Sequence, residues 1–299
     1  MISKPLLDNE FGHAKWLTRD ENQQSICFSH RICQGEVSLH GGQVLLWQPV
    51  EQHAVFWLSE DSQYSASSAI RGGIPICWPW FSGDVKATNG EIIKASNHGF
   101  ARQSLWQLND IEINNDEVVI ELSLSGEQFS TFWPAAFKLT QRLIFSTKFQ
   151  QILTMTNLSN KAVEYTGALH SYFAVGDPKQ VKVESLDLIN YDDKLSGEKM
   201  QRSSLTSCEG PVDRIYYDGS SKTLIDNAWQ RAITVTSDNC QQWVLWNPGK
   251  TAAMAMADMH QGSEQEFVCL EAANTQWQII PSQASVSISQ KVTVKALNH

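Results

Sequence analysis

Apolar side chains recur at every second position along much of this chain. In EVVIELSLS (117–125), Ile120, Leu122 and Leu124 fall on one face and Glu121, Ser123 and Ser125 on the other. FKLTQRLIFST (137–147) alternates Phe137, Leu139, Leu143 and Phe145 with Lys138, Thr140 and Arg142. VSISQKVTVKA (286–296) sets Val286, Ile288, Val292 and Val294 against Ser287, Ser289, Lys291, Thr293 and Lys295. A period of two is that of a β-strand with one packed and one wetted face. Further strand-like runs lie at 42–49, 54–59, 151–157, 231–237, 242–248 and 267–272. No segment carries an amphipathic helical stripe over three turns. Many short strands with few helices predict an all-β chain folded as an antiparallel β-sandwich. With no linker, low-complexity tract or repeat, a single domain over residues 1–299 is expected.

The segment Ser62–Asn97 interrupts this rhythm. Its centre, AIRGGIPICWPWFSG (69–83), holds an arginine, a glycine pair, two tryptophans, a phenylalanine and prolines at 75 and 79. The prolines exclude a helix interior and a central strand, so the segment reads as a shaped loop. Long structured loops in compact domains usually carry function.

Composition narrows the partners. The chain has 299 residues, 42% hydrophobic and 18% charged, as in folded globular proteins. Its 23 Lys and Arg against 32 Asp and Glu give a net charge of −9. That excludes nucleic acid and anionic membranes as main partners but leaves room for a small anion, which needs only local cations. The six cysteines form no Cys-x-x-Cys pair and lie beside no histidine at zinc-ligand spacing. The opening MISKPLLDNE lacks a leader's apolar run, and no stretch is apolar enough to span a bilayer. A cytoplasmic, monomeric protein with reduced cysteines is the expectation.

Three short stretches hold candidate chemistry. In NHGFARQSLW (97–106), His98 and Arg102 read as a site histidine and an anion-binding arginine, or as a solvated turn and a surface arginine. In YTGALHSYFAVGDP (165–178), strand alternation puts His170 on one face with Ala168 and Tyr172, opposite Leu169, Ser171 and Phe173. Such a histidine either works or is satisfied by a backbone carbonyl. In EQEFVCLEAAN (264–274), Glu271 closes a strand in phase with Phe267 and Cys269. A carboxylate there is expensive to bury unless paired or employed, although a strand end can reach water. An imidazole acid and a carboxylate base make a minimal acid–base pair. Arg71 and Arg102 offer forked donors for a carboxylate or phosphate, and the aromatic loop offers apolar faces for a sugar ring; together they fit a sugar phosphate. Cys77 and Cys269 read as core thiols and Asp258 as a fold-supporting carboxylate. His13, His30, His40, His53, His260 and His299 form no ligand set.

Taken in order, GGQVLLWQP, AIRGGIPICWPWF, NHGFAR, ALHSYF, VDRIYYD, VLWNPG, MADM and FVCLEA resemble the glucose-6-phosphate 1-epimerase (hexose-6-phosphate mutarotase) family of the aldose 1-epimerase superfamily. The resemblance implies a β-sandwich of the galactose-mutarotase type and an isomerase that interconverts the anomers of a hexose 6-phosphate without a metal or other cofactor. By motif, His170 corresponds to the general acid and Glu271 to the general base. His98 would contact the sugar, Arg71 and Arg102 the phosphate, and Asp213 a hydroxyl. Trp78, Trp80 and Phe81 would shape the pocket wall, or the tryptophans would only fill the end of the sandwich. Two departures stand out: Glu-Ala-Ala-Asn after the glutamate, where the family often has proline, and Trp-Phe-Ser-Gly in the aromatic loop, where Phe-Gly is common. An epimerase of free aldoses and a non-turning-over carbohydrate-binding module remain as alternatives.

Overall fold

The alternating runs become strands because each can bury one face. A computed structural model of the chain describes residues 2–19, 23–65, 67–86 and 90–297; His299 lies outside them. Along Phe137–Phe145 the residues Phe137, Leu139, Leu143 and Phe145 are buried while Lys138 and Arg142 are exposed. The same alternation holds along Val118–Gly126, where Ile120, Leu122 and Leu124 point inward.

Strands Ile2–Asn9, Gly12–Thr18, Gln24–His30, Cys33–Ser38 and Gln43–Pro49 pair in chain order as an antiparallel meander. An eight-stranded sheet runs Val181–Lys182, Lys222–Asp226, Arg231–Asp238, Ser285–Ala296, Lys148–Asn157, Phe137–Phe145, Val118–Gly126, Gln107–Ile113. A seven-stranded sheet has the order Tyr191–Asp193, Val212–Tyr216, Gln242–Asn247, Phe267–Ile280, Val163–Leu169, Ile76–Cys77, with Tyr172–Ala174 also paired to Phe267–Ile280. One apolar cluster draws on all three: Ile26 and Phe28, then Phe145 and Phe149, then Leu169, Leu245 and Leu270. Phe28 meets Phe145 at 4.8 Å, and Phe56 meets Phe149 at 5.4 Å and Phe173 at 5.6 Å. Each such buried side chain contributes roughly 1.5–3 kcal/mol over its exposed state. Among the described residues the one α-helix is Gly249–Met254, and no helix is long and apolar enough to cross a membrane.

Three strand readings are corrected. The run 54–59 is extended but forms no ladder, because its donors go to three different segments: Val55 to Trp47 O, Trp57 to Tyr172 O and Ser59 to Arg71 O. The run containing His170 is two strands, Val163–Leu169 and Tyr172–Ala174, broken at His170 and Ser171. Glu271 does not close its strand. That strand runs Phe267–Ile280, since no proline follows the glutamate and Ala272 and Ala273 pair with Trp243 and Gln242.

The aromatic loop is stitched onto these sheets by backbone hydrogen bonds. Ile74 N–H donates to Val44 O (2.9 Å), His170 N–H to Pro75 O (3.0 Å) and Thr166 N–H to Pro79 O (3.1 Å). Between its prolines, Ile76–Cys77 forms a two-residue edge strand against Ala168 and Leu169; an edge is where proline is tolerated. Gly73 has φ +60°, and a Cβ there would sit 2.0 Å from Val44 O. Only glycine lets the loop run this close to its neighbour.

Candidate active site

The seven-stranded sheet has two buried faces of different kinds. Leu169, Phe173, Leu245 and Leu270 enter the main core. On the other face lie two small apolar patches, one containing Tyr172, Phe267 and Cys269, the other Cys77, Ala168, Val244 and Ala273. Strand alternation sets His170 between Ala168 and Tyr172, and Glu271 between Cys269 and Ala273, so both carry their side chains into the gap between the patches. That gap is a cavity of about 310 Å³, lined by Arg71, His98, Arg102, His170, Asp213 and Glu271. All six residues singled out in the sequence therefore meet in one place. Tyr172, Lys194, Trp246, Asn97, Ser82, Phe81, Val244 and Met256 complete the lining.

Glu271 is 1% exposed and His170 7%. His170 Nε2 lies 3.3 Å from Glu271 Oε1, while among the described residues His170 Nδ1 and Glu271 Oε2 are buried with no hydrogen-bond partner. Burial, and then the nearby Asp213, raise the Glu271 carboxyl well above its ordinary range, against the pull of Arg102. Burial, then His98, Arg102 and Arg71, hold the His170 imidazole well below its ordinary range. Both shifts favour the uncharged form of each group. The imidazole stacks on Tyr172 at 4.8 Å and 8°, which fixes its plane. The His98 ring meets it edge-on at 5.6 Å.

His98 is held in the left-handed region (φ +66°) by its turn. Gly99 follows at φ +68°, and a Cβ there would lie 2.0 Å from Trp78 O. The Ser82 N–H donates to His98 Nδ1 (3.2 Å), which leaves the ring proton on Nε2 as a donor. Burial first, then Arg102, Arg71 and Lys194, push His98 down to about 3, so this ring stays neutral.

The arginines are charged and only partly engaged. Arg71 donates from Nε to Asp258 (3.0 Å) and from Nη1 to Tyr172 Oη (3.1 Å). Burial opposes its charge, but Tyr172 and Asp258 together hold its pKa above the ordinary value. Arg102 donates from Nη2 to Asn97 O (3.0 Å), and its buried Nε has no partner among the described residues. Both side chains also line an adjoining cavity of about 320 Å³ walled by Ser67, Ser68, Gln103 and Asp258. Burial raises the Asp213 carboxyl, with Lys194 countering. Asp258, expected only to support the fold, holds the Arg71 guanidinium, and Cys77 and Cys269 are buried thiols whose pKa values burial drives upward.

The tryptophans of the aromatic loop do not form the pocket wall. Trp78 packs on Trp133 and Phe137, and Trp80 on Phe100 and Phe132, so both fill the end of the sandwich. Phe81 does line the cavity; Tyr172 and Trp246 supply its other aromatic faces. Sequence reasoning passed over Tyr172, Lys194 and Trp246. Alternation with His170 was the one signal for Tyr172, and nothing local marked the other two.

The fold and pocket define a class: an antiparallel β-sandwich whose cavity brings an imidazole and a carboxyl together with two arginines. The aldose 1-epimerase family model matches residues 24–293. A protein of Escherichia coli K12 with the name "Putative glucose-6-phosphate 1-epimerase" is 30% identical over 274 residues, 90% of each chain. A Salmonella typhimurium protein of the same name is 31% identical over 87% of this chain and 85% of its own. Among solved structures, a "putative mutarotase" from Salmonella typhimurium superposes with a TM-score of 0.86 at 26% identity, covering 98% of this chain and 97% of its own. A galactose 1-epimerase from Lactobacillus acidophilus shares the fold at 12% identity, covering 96% of this chain and 99% of its own (TM-score 0.71). This chain belongs to the aldose 1-epimerase family and is an isomerase acting on a sugar.

Proposed function

We propose that the protein interconverts the α and β anomers of a hexose 6-phosphate, with glucose 6-phosphate the first substrate to test. The observation that carries this reading is the pairing of His170 and Glu271 in a cavity shared with two arginines that still have donors to offer. The phosphate takes the donors of Arg71 and Arg102, so C1 of the ring is directed toward the pair. In the reacting form Glu271 is the carboxylate and His170 the imidazolium; phosphate on the arginines favours the imidazolium by offsetting the two positive charges that help depress His170. Glu271 then takes the proton of the O1 hydroxyl while His170 gives its proton to the ring oxygen. The C1–O5 bond breaks, its electron pair goes to O5, and C1=O1 forms. Rotation about C1–C2 presents the other face of the aldehyde, and the two proton transfers reverse as the ring closes. His98 Nε2–H and Asp213 bind hydroxyls.

The test is polarimetry of freshly dissolved α-glucose 6-phosphate beside glucose and galactose. Acceleration confined to the phosphorylated sugar supports the reading. Acceleration of the free sugars would keep the chemistry and remove the phosphate role. Saturable binding without turnover would make the protein a binding module.

A further inference from the structure

Five core-facing positions carry polar side chains where leucine would pack. Gln43, Gln151, Gln290 and Ser171 are fully buried, and Gln141 is 1% exposed. They are not scattered. Gln43 Nε2 donates to Ile70 O (3.1 Å) and Gly72 O (2.6 Å), the two peptide carbonyls on either side of Arg71. Both acceptors are carbonyl oxygens, so the orientation of this amide is forced. The carbonyl of the preceding residue, Gly42, accepts from Gln141 Nε2 at 2.6 Å. Gln141 Oε1 in turn accepts from Gln151 Nε2, and Gln151 Oε1 accepts from Gln290 Nε2 at 2.8 Å. The chain ends where Ser171 Oγ–H donates to Gln290 Oε1 (3.0 Å).

The Gly42 carbonyl sets the direction of every amide down to that hydroxyl. Gln141, Gln151 and Gln290 stand on three adjacent strands of the eight-stranded sheet, with Gln151 directly opposite Gln290. Gln43 opens the last strand of the meander, and Ser171 lies in the break of the seven-stranded sheet, immediately after His170. The Ser171 carbonyl accepts the N–H of Leu270, the neighbour of Glu271 (3.1 Å). A hydrogen-bonded line from Ser171 to the Gly42 carbonyl, continued through the Gly42–Gln43 peptide bond to the Gln43 amide, thus crosses the interior between the backbone that carries His170 and Glu271 and the backbone that carries Arg71.

Buried amides are costly unless their hydrogen bonds are made, whereas apolar side chains fill a core without that condition. What a connected amide chain adds is direction: it admits one arrangement of the elements it joins. We propose that this buried spine positions the two working ends of the site, Gln43 holding Arg71 for the phosphate and Gln290, through Ser171, holding His170 against Glu271; the proposal rests on the hexose 6-phosphate reading above. These are positioning residues and touch no substrate. A displacement of about 1 Å at a reacting group can slow a reaction by ~10²-fold, so a spine far from the chemistry has leverage over it.

The test compares wild type, Gln43→Met and Gln290→Met by anomerisation kinetics, thermal melting and calorimetric titration with inorganic phosphate. Gln43→Met is expected to weaken phosphate binding and raise KM for glucose 6-phosphate about tenfold, with kcat changing less than about twofold. Gln290→Met is expected to lower kcat by about tenfold or more while phosphate affinity stays within about twofold. This split between KM and kcat is what a merely structural spine would not produce. Parallel losses that follow Tm, or no change in either folded variant, overturn the proposal. Should Gln43→Met fail to fold, Gln43→Glu keeps the shape and can donate only when protonated. Its phosphate affinity, relative to wild type, must then recover as pH is lowered, and no recovery overturns the proposal. Wild type that binds phosphate but does not turn over glucose 6-phosphate refutes the functional reading, and phosphate affinity in Gln43→Met still decides the role of Gln43. Wild type that does neither removes both.

Discussion

Glu271 is a carboxyl group held almost entirely away from water, 3.3 Å from an equally enclosed imidazole. That enclosure makes the pair reactive and costs stability. In the proposed mechanism Glu271 is the general base and His170 the general acid, each expected to contribute about 10²–10⁴-fold, so Glu271→Gln or His170→Asn should nearly abolish anomerisation of glucose 6-phosphate in the polarimeter. Near-normal turnover in either variant removes that residue from the mechanism. The cost has its own signature. The folded-state pKa of Glu271 lies well above its ordinary 4.5, so the stability linked to it is fully present below 4.5 and declines as pH rises through the folded value. Glu271→Gln is therefore expected to raise Tm at about pH 8 and to lose that advantage as the buffer approaches pH 4.5. A gain that does not vary with pH would contradict a buried protonated carboxyl. Arg71 sits in the same cavity with a different task. A hydrogen bond to a charged group is worth roughly 1.5–3 kcal/mol; Arg71→Ala should lower kcat/KM for glucose 6-phosphate by about ten- to more than a hundredfold. Its effect on any turnover of glucose should be small. Equal losses on both sugars would make Arg71 structural.

At the scale of elements, the aromatic loop and the two broken strands matter more than the regular ladders. The loop lies across the ends of Gln43–Pro49 and Val163–Leu169, and its backbone pairs with both. Gly73 is the close point. Alanine there must adopt φ +60° and place a methyl 2.0 Å from Val44 O, a strain costing more than about 1 kcal/mol. Gly73→Ala is expected to lower the denaturation midpoint and, because Arg71 is two residues away, to raise KM for glucose 6-phosphate. A folded variant with unchanged KM would separate the loop's path from the site. The strands from Ile2–Asn9 to Cys33–Ser38 were not read, whereas the ladders at 117–125, 137–147 and 286–296 were legible from alternation, since a period of two is local information. The run 54–59 was not, because it bonds to three separate segments, and neither was the extent of Phe267–Ile280, whose continuation depends on pairing with Gln242–Asn247.

Over the whole molecule, a net charge of −9 coexists with a pocket that gathers Arg71, Arg102 and Lys194. The sheets are locked together by polar groups as well as by the apolar core. Arg231 is 2% exposed, lies 3.7 Å from fully buried Asp226, and donates to the carbonyls of His53, Ala54 and Ala174. Burial lowers its pKa to about 10, so it stays charged at neutral pH. Arg231→Met leaves Asp226 buried without its cation, and urea unfolding should show a loss of about 3–5 kcal/mol; a loss under about 1 kcal/mol would mean that backbone amides alone satisfy Asp226. By itself the sequence determined the strand-rich fold and the residue types able to do acid–base chemistry beside an anion, because periodicity and functional groups belong to the residues themselves. Only the tertiary structure decided that Trp78 and Trp80 are core while Trp246 and Lys194 face the pocket, that burial favours the uncharged forms of Glu271 and His170, and that four buried polar side chains join into one line ending on the carbonyl beside Gln43. Each of these depends on what stands opposite in another strand or sheet, and on how much water is excluded between them.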